Sequence, residues 1–90
     1  MVAAICAAPL ALTTAGVFSS AEVTCYPGLE DKVGGNGHFS VLKDQNVVVS
    51  GNGKLITSRG PGTACEFALK IVEVLKGSEI ARKVQSDLLL

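Results

Sequence analysis

The first 21 residues, Met1 to Ala21, carry no charge, although the 90-residue chain holds eight basic and eight acidic side chains. All of those charges lie at or after Glu22. Three kinds of segment have this character. A signal peptide would use the apolar run Val2–Leu12 and the small residues Ser19-Ser20-Ala21, but it lacks a Lys or Arg after Met1. A membrane span would be marginal in length and diluted by Pro9, Thr13, Thr14, Gly16, Ser19 and Ser20. A buried strand over Met1–Ile5 followed by a helix over Pro9–Val17 fits the punctuation better. Pro9 suits a first helical turn, where its missing N–H costs nothing, and Gly16 lies near the expected helix end.

The length allows one domain and a small core. With 48% hydrophobic residues and zero net charge, the chain has neither the basic stripe of a nucleic-acid binder nor the composition of a disordered segment. Aromatics make up 4%, with no Trp, so stacking on bases or sugars is poorly supported. Cys6, Cys25 and Cys65 are odd in number and widely spaced. That is neither a disulfide framework nor a zinc pattern, and it points to a reducing compartment, the cytoplasm.

Further along, Glu22–Tyr26 reads as a short strand with Val23 inward, stopped by Pro27-Gly28. Leu29–Val33 reads as a helical turn, and Gly34–Gly37 as a loop leaving His38 in solvent. Asn46–Val49 and Lys54–Thr57 flank Ser50-Gly51-Asn52-Gly53, a hairpin signal, because Asn-Gly supplies the positive φ values of a tight turn. Thr63 and Glu66 have the spacing of a capping box opening a long helix, worth about 1 kcal/mol. Ala64, Phe67, Ala68, Ile71, Val72 and Leu75 form its apolar face, with Glu66 and Lys70 four apart on the other side. Gly77 ends it, and Ser78 is placed to cap a shorter helix over Glu79–Ser86. The tail Leu88-Leu89-Leu90 is expected to pack.

Two phosphate-site patterns fail. Around Gly51–Lys54, Val48 stands where a first glycine is needed and Leu55 where Ser or Thr would bind magnesium. Gly60-Pro61-Gly62 meets Cys65 where a dinucleotide fingerprint needs its third glycine. Arg59 beside that helix start is a candidate anion contact or a structural ion-pair partner. With one His and scattered cysteines, no metal site of ordinary spacing is expected, and no cofactor is implied.

Ala3-Ala4-Ile5-Cys6-Ala7-Ala8-Pro9 has the makings of a nucleophile elbow. A buried strand ends at Cys6, small residues flank it, and a helix follows at once. The turn would lift the thiol to a helix N-terminus, where the dipole favours thiolate, and would place the Ala7 N–H to steady an oxyanion. The plainer reading is a small buried hydrophobe.

The run Ala3–Pro9 with Ala11-Leu12 resembles the cysteine elbow of the DJ-one/PfpI superfamily, the deglycase and glyoxalase-like proteins related to glutamine amidotransferases. Val23-Thr24 with Tyr26-Pro27, then Asp31-Lys32, are similar to the next strand and its sequel. Thr57–Thr63 followed by Glu66–Leu69 looks like the signature before the long helix, continued by Ile71-Val72-Glu73 and Leu75. The resemblance implies the C-terminal half, over residues 1–90, of a flavodoxin-like three-layer α/β/α sandwich with a mostly parallel sheet. It turns the uncharged segment into a core strand and helix. It implies Cys6 as nucleophile or redox-sensitive thiol, Ala7 as oxyanion donor, and reactive carbonyls such as methylglyoxal, or glycated amines, as substrates. A homodimer is implied for the full-length protein, with neither nucleic acid nor membrane as a partner.

Two departures from the family pattern stand out. Tyr26 occupies the place of a family histidine near the cysteine, and His38 is out of register for that role. The family's N-terminal half, with a glutamate that bonds the cysteine and a second oxyanion N–H, has no counterpart among these residues. The Met1–Ile5 strand is apolar throughout, as a strand covered on both faces should be, so its free edge is expected to need a complementary half or another partner. Met1 is then expected to be an internal methionine. The alternatives to an enzyme are a redox-sensing chaperone that uses Cys6 oxidation and an inactive fragment.

Overall fold

The computed structural model describes all 90 residues. The elements run β1 (Val2–Ile5), α1 (Pro9–Ala15), β2 (Glu22–Val23), α2 (Glu30–Gly34), β3 (Ser40–Val41), β4 (Val47–Ser50), β5 (Leu55–Ser58), α3 (Ala64–Lys76) and α4 (Ser78–Asp87). Two short 3₁₀ turns, Gly51–Gly53 and Pro61–Thr63, precede β5 and α3. The larger sheet has the order β1-β5-β4, with β1 parallel and β4 antiparallel to β5. A second, two-stranded sheet pairs β2 with β3 in parallel. The strands and flanking helices make an α/β fold with mixed sheets.

The central strand explains itself residue by residue. Leu55, Ile56, Thr57 and Ser58 are all buried, as expected of a strand with neighbours on both edges and helices on both faces. Leu55 joins Val23, Cys25, Val33 and Phe39 in the core, ringed by Leu10, Leu12, Phe18, Ala21, Leu29 and Val41. Its neighbour Ile56 therefore points to the opposite face, where α3 packs on β5. The hairpin into β5 forms as its sequence indicates. Gly51, Asn52 and Gly53 all take positive φ, at 60°, 57° and 81°, reversing the chain in three residues. Helix α1 stops at Ala15, two residues short of the expected Val17. Gly16 there takes the left-handed conformation at φ 71° and returns its N–H to the carbonyls of Leu12 and Thr13.

Several local expectations are corrected. Strand β2 closes at Val23, because Tyr26 N–H turns away to the carbonyl of Cys6. The Thr63–Glu66 capping box does not form. The Thr63 hydroxyl looks backward, 2.6 Å from Ser58 Oγ, and accepts the Gly60 N–H at 3.2 Å, while Glu66 accepts from Asn46 Nδ2 at 3.2 Å. Lys70 consequently pairs with Glu73, three residues on, at 3.2 Å rather than with Glu66. Gly77 occupies the cap position of α4, and Ser78 is already helical. His38 is half-buried rather than free in solvent, with Nε2 2.7 Å from the carbonyl of Val17 and its ring edge-on to Phe39. The leucine tail does not pack: Leu89 is 92% exposed.

The expectation of a free apolar edge does describe this chain. Strand β1 pairs with β5 alone, and Met1 and Val2 remain exposed. On the far side of the sheet no residue of α3 is fully buried; Phe67, Ile71 and Val72 are half-buried, while Ala64, Ala68 and Leu75 are exposed. Three strands offer a surface too narrow to cover the whole apolar stripe of a 13-residue helix.

Two buried groups lead to predictions. Thr57 Oγ1 accepts the N–H of buried Thr24 at 2.9 Å, tying the two sheets together. Thr57→Val leaves that N–H unpaired and should lower stability by about 1–3 kcal/mol, with Thr57→Ser close to wild type, as read from urea midpoints. Burial pushes the Cys25 thiol above its ordinary value of 9.0, and the Glu30 carboxylate adds to the shift. An unfolded Cys25 therefore loses its proton at a pH where the folded thiol keeps it. Stability should be full below about pH 9 and fall as the pH rises through that region. A melting-temperature series from about pH 8 to about pH 10 checks this, and Cys25→Ala should flatten the slope.

Candidate functional site at the strand-to-helix elbow

Strand β1 delivers its last side chain, Ile5, and the backbone then reverses at Cys6. Cys6 takes φ 66°, a left-handed conformation that costs a non-glycine residue about 1–2 kcal/mol. Hydrogen bonds hold it there. The Cys6 N–H reaches the carbonyl of Ser58 at 3.0 Å, and the Cys6 carbonyl receives the Tyr26 N–H, also at 3.0 Å. The Ala8 N–H closes the turn on the carbonyl of Ile5 at 3.1 Å. Pro9 is buried at the first position of α1, and no side chain caps that helix. Ala7 and Ala8, the two residues inside the bend, are exposed and small. No acceptor in the chain takes the Ala7 N–H.

The cysteine itself is half-buried. The other two differ sharply from it. Cys25 is buried in the core two residues beyond β2, and Cys65 is exposed on the first turn of α3. The three thiols are all free.

Tyr26, expected from the resemblance near the cysteine, and Arg59, expected beside the start of the long helix, are brought together. Both line a cavity of about 170 Å³ with Pro27, Gly60, Pro61, Gly62 and Thr63. The ring of Tyr26 is seated over Gly60, where a Cβ would stand 3.4 Å from Cδ1. A side chain at position 60 would thus crowd the ring. Arg59 is half-buried, and the chain's single ion pair is Lys70–Glu73, so its guanidinium has no carboxylate partner. Its charge is felt at Glu30, whose carboxyl is held below its ordinary value by the N–H groups of Glu30 and Gly28, with Lys43 and Arg59 adding to the effect.

Thr63 and Ser58 are structural members that sequence reasoning misassigned or passed over. Ser58 Oγ donates to the carbonyl of Asn46 at 2.7 Å and lies 2.6 Å from Thr63 Oγ1, which also reaches the carbonyl of Gly60 at 3.0 Å. This chain of hydroxyls fixes the Arg59-Gly60 backbone that forms the cavity floor. The available signal was two adjacent hydroxyl residues, Thr57-Ser58, in an otherwise apolar strand. No cluster of three or more His, Cys, Asp or Glu side chains is close enough to hold a metal ion. No helix is long and apolar enough to cross a membrane.

Comparison with known proteins gives this geometry a context. Residues 1–74 match the DJ-1/PfpI family. The chain is 49% identical over 90 residues to the protein dj-1beta of Drosophila melanogaster, covering all of this chain and 46% of that protein. It superposes on the crystal structure of Drosophila DJ-1beta with a TM-score of 0.90. It is 43% identical over 90 residues to the glutathione-independent glyoxalase DJR-1.2 of Caenorhabditis elegans, again covering 100% of this chain and 46% of that one. The structure of oxidized DJ-1 from Toxoplasma gondii matches with a TM-score of 0.84 at 38% identity, over 99% of this chain and 46% of the other. The chain therefore spans about half the length of the relatives it matches, and over that half it belongs to the DJ-1/PfpI family.

Proposed function

We propose that this chain carries the nucleophile of a cysteine-dependent protein acting on reactive carbonyls, of the deglycase or glutathione-independent glyoxalase type. The observation that carries the reading is Cys6 itself, a non-glycine residue held at φ 66° on a strand-to-helix turn beside an unbonded N–H. Strain of this kind persists only where the surroundings impose it, and it concentrates at functional sites. The C. elegans relative, named as a glutathione-independent glyoxalase, supports the substrate class.

In the proposed step, Cys6 Sγ adds as thiolate to the carbonyl carbon. A C–S bond forms, the carbonyl π pair moves to oxygen, and the Ala7 N–H receives the resulting oxyanion. Tyr26 stands as an aromatic wall where the family pattern has a histidine, so proton transfer falls to solvent or to groups outside these 90 residues. The glutamate and second N–H that the resemblance assigns to the other half of the domain are also supplied from outside. The proposal extends to a reducing compartment, the cytoplasm, which the three free thiols favour, and to a homodimer of the full-length protein, which the family resemblance implies.

Cys6→Ser should lower methylglyoxal consumption by at least about a hundredfold, while Cys65→Ser leaves it unchanged. Turnover retained in Cys6→Ser removes the nucleophile role.

The oxidized Toxoplasma relative favours a second reading, in which Cys6 is a redox sensor. There the thiolate attacks peroxide: an S–O bond forms, the O–O bond breaks and hydroxide leaves. A second equivalent takes the sulfenic acid to sulfinic acid. Mass spectrometry after mild peroxide should find Cys6 oxidised ahead of exposed Cys65 and buried Cys25. Equal oxidation of Cys6 and Cys65, or none at Cys6, excludes the sensor.

A further inference from the structure

We infer that Thr63 is a positioning residue for Cys6, holding the elbow through the segment Ser58-Arg59-Gly60. The inference rests on the proposed role of Cys6 as nucleophile and adds a residue that acts on the thiol only through the backbone.

The elbow is closed by a ring of contacts. The Cys6 N–H donates to the carbonyl of Ser58, and the Cys6 carbonyl accepts the Tyr26 N–H, each at 3.0 Å. Tyr26 in turn lays its ring over Gly60, where a Cβ would stand 3.4 Å from Cδ1. Both supports of Cys6 therefore end on Ser58 and Gly60. Ser58 is fixed by its place at the end of β5. Gly60 lies beyond the strand. It is buried, and its N–H finds no backbone carbonyl. Thr63 Oγ1 accepts that N–H at 3.2 Å, and the Thr63 N–H returns to the Gly60 carbonyl at 2.9 Å. The same hydroxyl lies 3.0 Å from the Gly60 carbonyl and 2.6 Å from Ser58 Oγ. One side chain thus clamps both ends of the segment on which the elbow leans.

Thr63 is available for this because its side chain does not cap α3. The contacts need an oxygen that both accepts and donates, which a hydroxyl supplies. Without it the buried Gly60 N–H has no acceptor, and its desolvation draws the segment toward water. The Tyr26 ring then loses its seat, and Ser58 loses a lateral tie. Cys6 sits at φ 66°, which is uphill for a residue with a Cβ, so it relaxes once its backbone bonds loosen. The thiol swings with it, and misplacing a reacting group by about 1 Å costs up to about a hundredfold in rate.

The test compares Thr63→Val, which keeps the shape and removes the hydroxyl, with Thr63→Ser, which keeps the hydroxyl. Amide hydrogen exchange reads the elbow directly. The Cys6 and Tyr26 amides should exchange about tenfold faster in Thr63→Val and within about twofold of wild type in Thr63→Ser. The Thr24 amide, buried and bonded to Thr57 Oγ1, should keep its protection in both, and buried Cys25 should stay closed to thiol reagents. In methylglyoxal consumption, Thr63→Val should lower kcat about tenfold while KM stays within about twofold. Thr63→Ser should recover most of that rate. Unchanged exchange at Cys6 and Tyr26 in Thr63→Val overturns the positioning role, as does an equal loss in Thr63→Ser. Exchange at Thr24 that speeds up to the same degree marks a general structural role and overturns it as well. A wild type that consumes no methylglyoxal, or a Cys6→Ser variant that consumes it at the wild-type rate, overturns the nucleophile reading instead. The amide exchange then still decides whether Thr63 holds the elbow.

Discussion

Two backbone hydrogen bonds hold Cys6, one to the end of β5 through Ser58 and one from Tyr26 beyond the end of β2. Everything proposed for this molecule depends on them. A left-handed cysteine is uphill by itself, and the turn persists because β5 is anchored more firmly than the turn is strained. All four β5 residues are buried, β1 and β4 flank the strand, and Thr57 pins it to the second sheet through the N–H of Thr24. The elbow is thus a local conformation stabilised by non-local pairing.

The same strand also builds the neighbouring cavity. Ser58 ends β5, and the hydroxyl relay from Asn46 through Ser58 to Thr63 sets the course of Arg59 and Gly60. Those residues in turn seat the Tyr26 ring. Nucleophile and cavity therefore share one support, and a disturbance of the β5 terminus would move both. This coupling explains why Ser58 and Thr63, which touch no reacting atom, matter to the site's geometry.

The same chain is unevenly covered. Its core gathers on one side of the sheet around Leu55, Val23, Cys25, Val33 and Phe39. The outer edge of β1 and much of α3 stay open, and the leucine tail lies in solvent. The relatives are about twice as long, so in them further chain is available to cover such surfaces. The two small sheets and their flanking helices leave part of the 48% hydrophobic content exposed.

The sequence by itself determined the elements whose signals are local. The uncharged start reads correctly as strand and helix, because Pro9 and Gly16 punctuate it. The Gly51-Asn52-Gly53 reversal and the break at Gly77 follow from residues that take those backbone angles most readily. Cys6 was legible as an elbow from its small neighbours, and the family from two long motifs in order. Features that depend on competition between distant partners were not legible. Thr63 and Glu66 have capping-box spacing, yet Thr63 turns back to Ser58 and Gly60 while Asn46 claims Glu66 across the fold. His38 lies in a glycine-rich loop, yet Val17 and Phe39 hold it. A polar side chain has several acceptors within reach of its own neighbourhood, and sequence spacing counts only those. Which of them wins is decided by desolvation and by what the packed sheet brings alongside, and that is known only once the tertiary structure has formed.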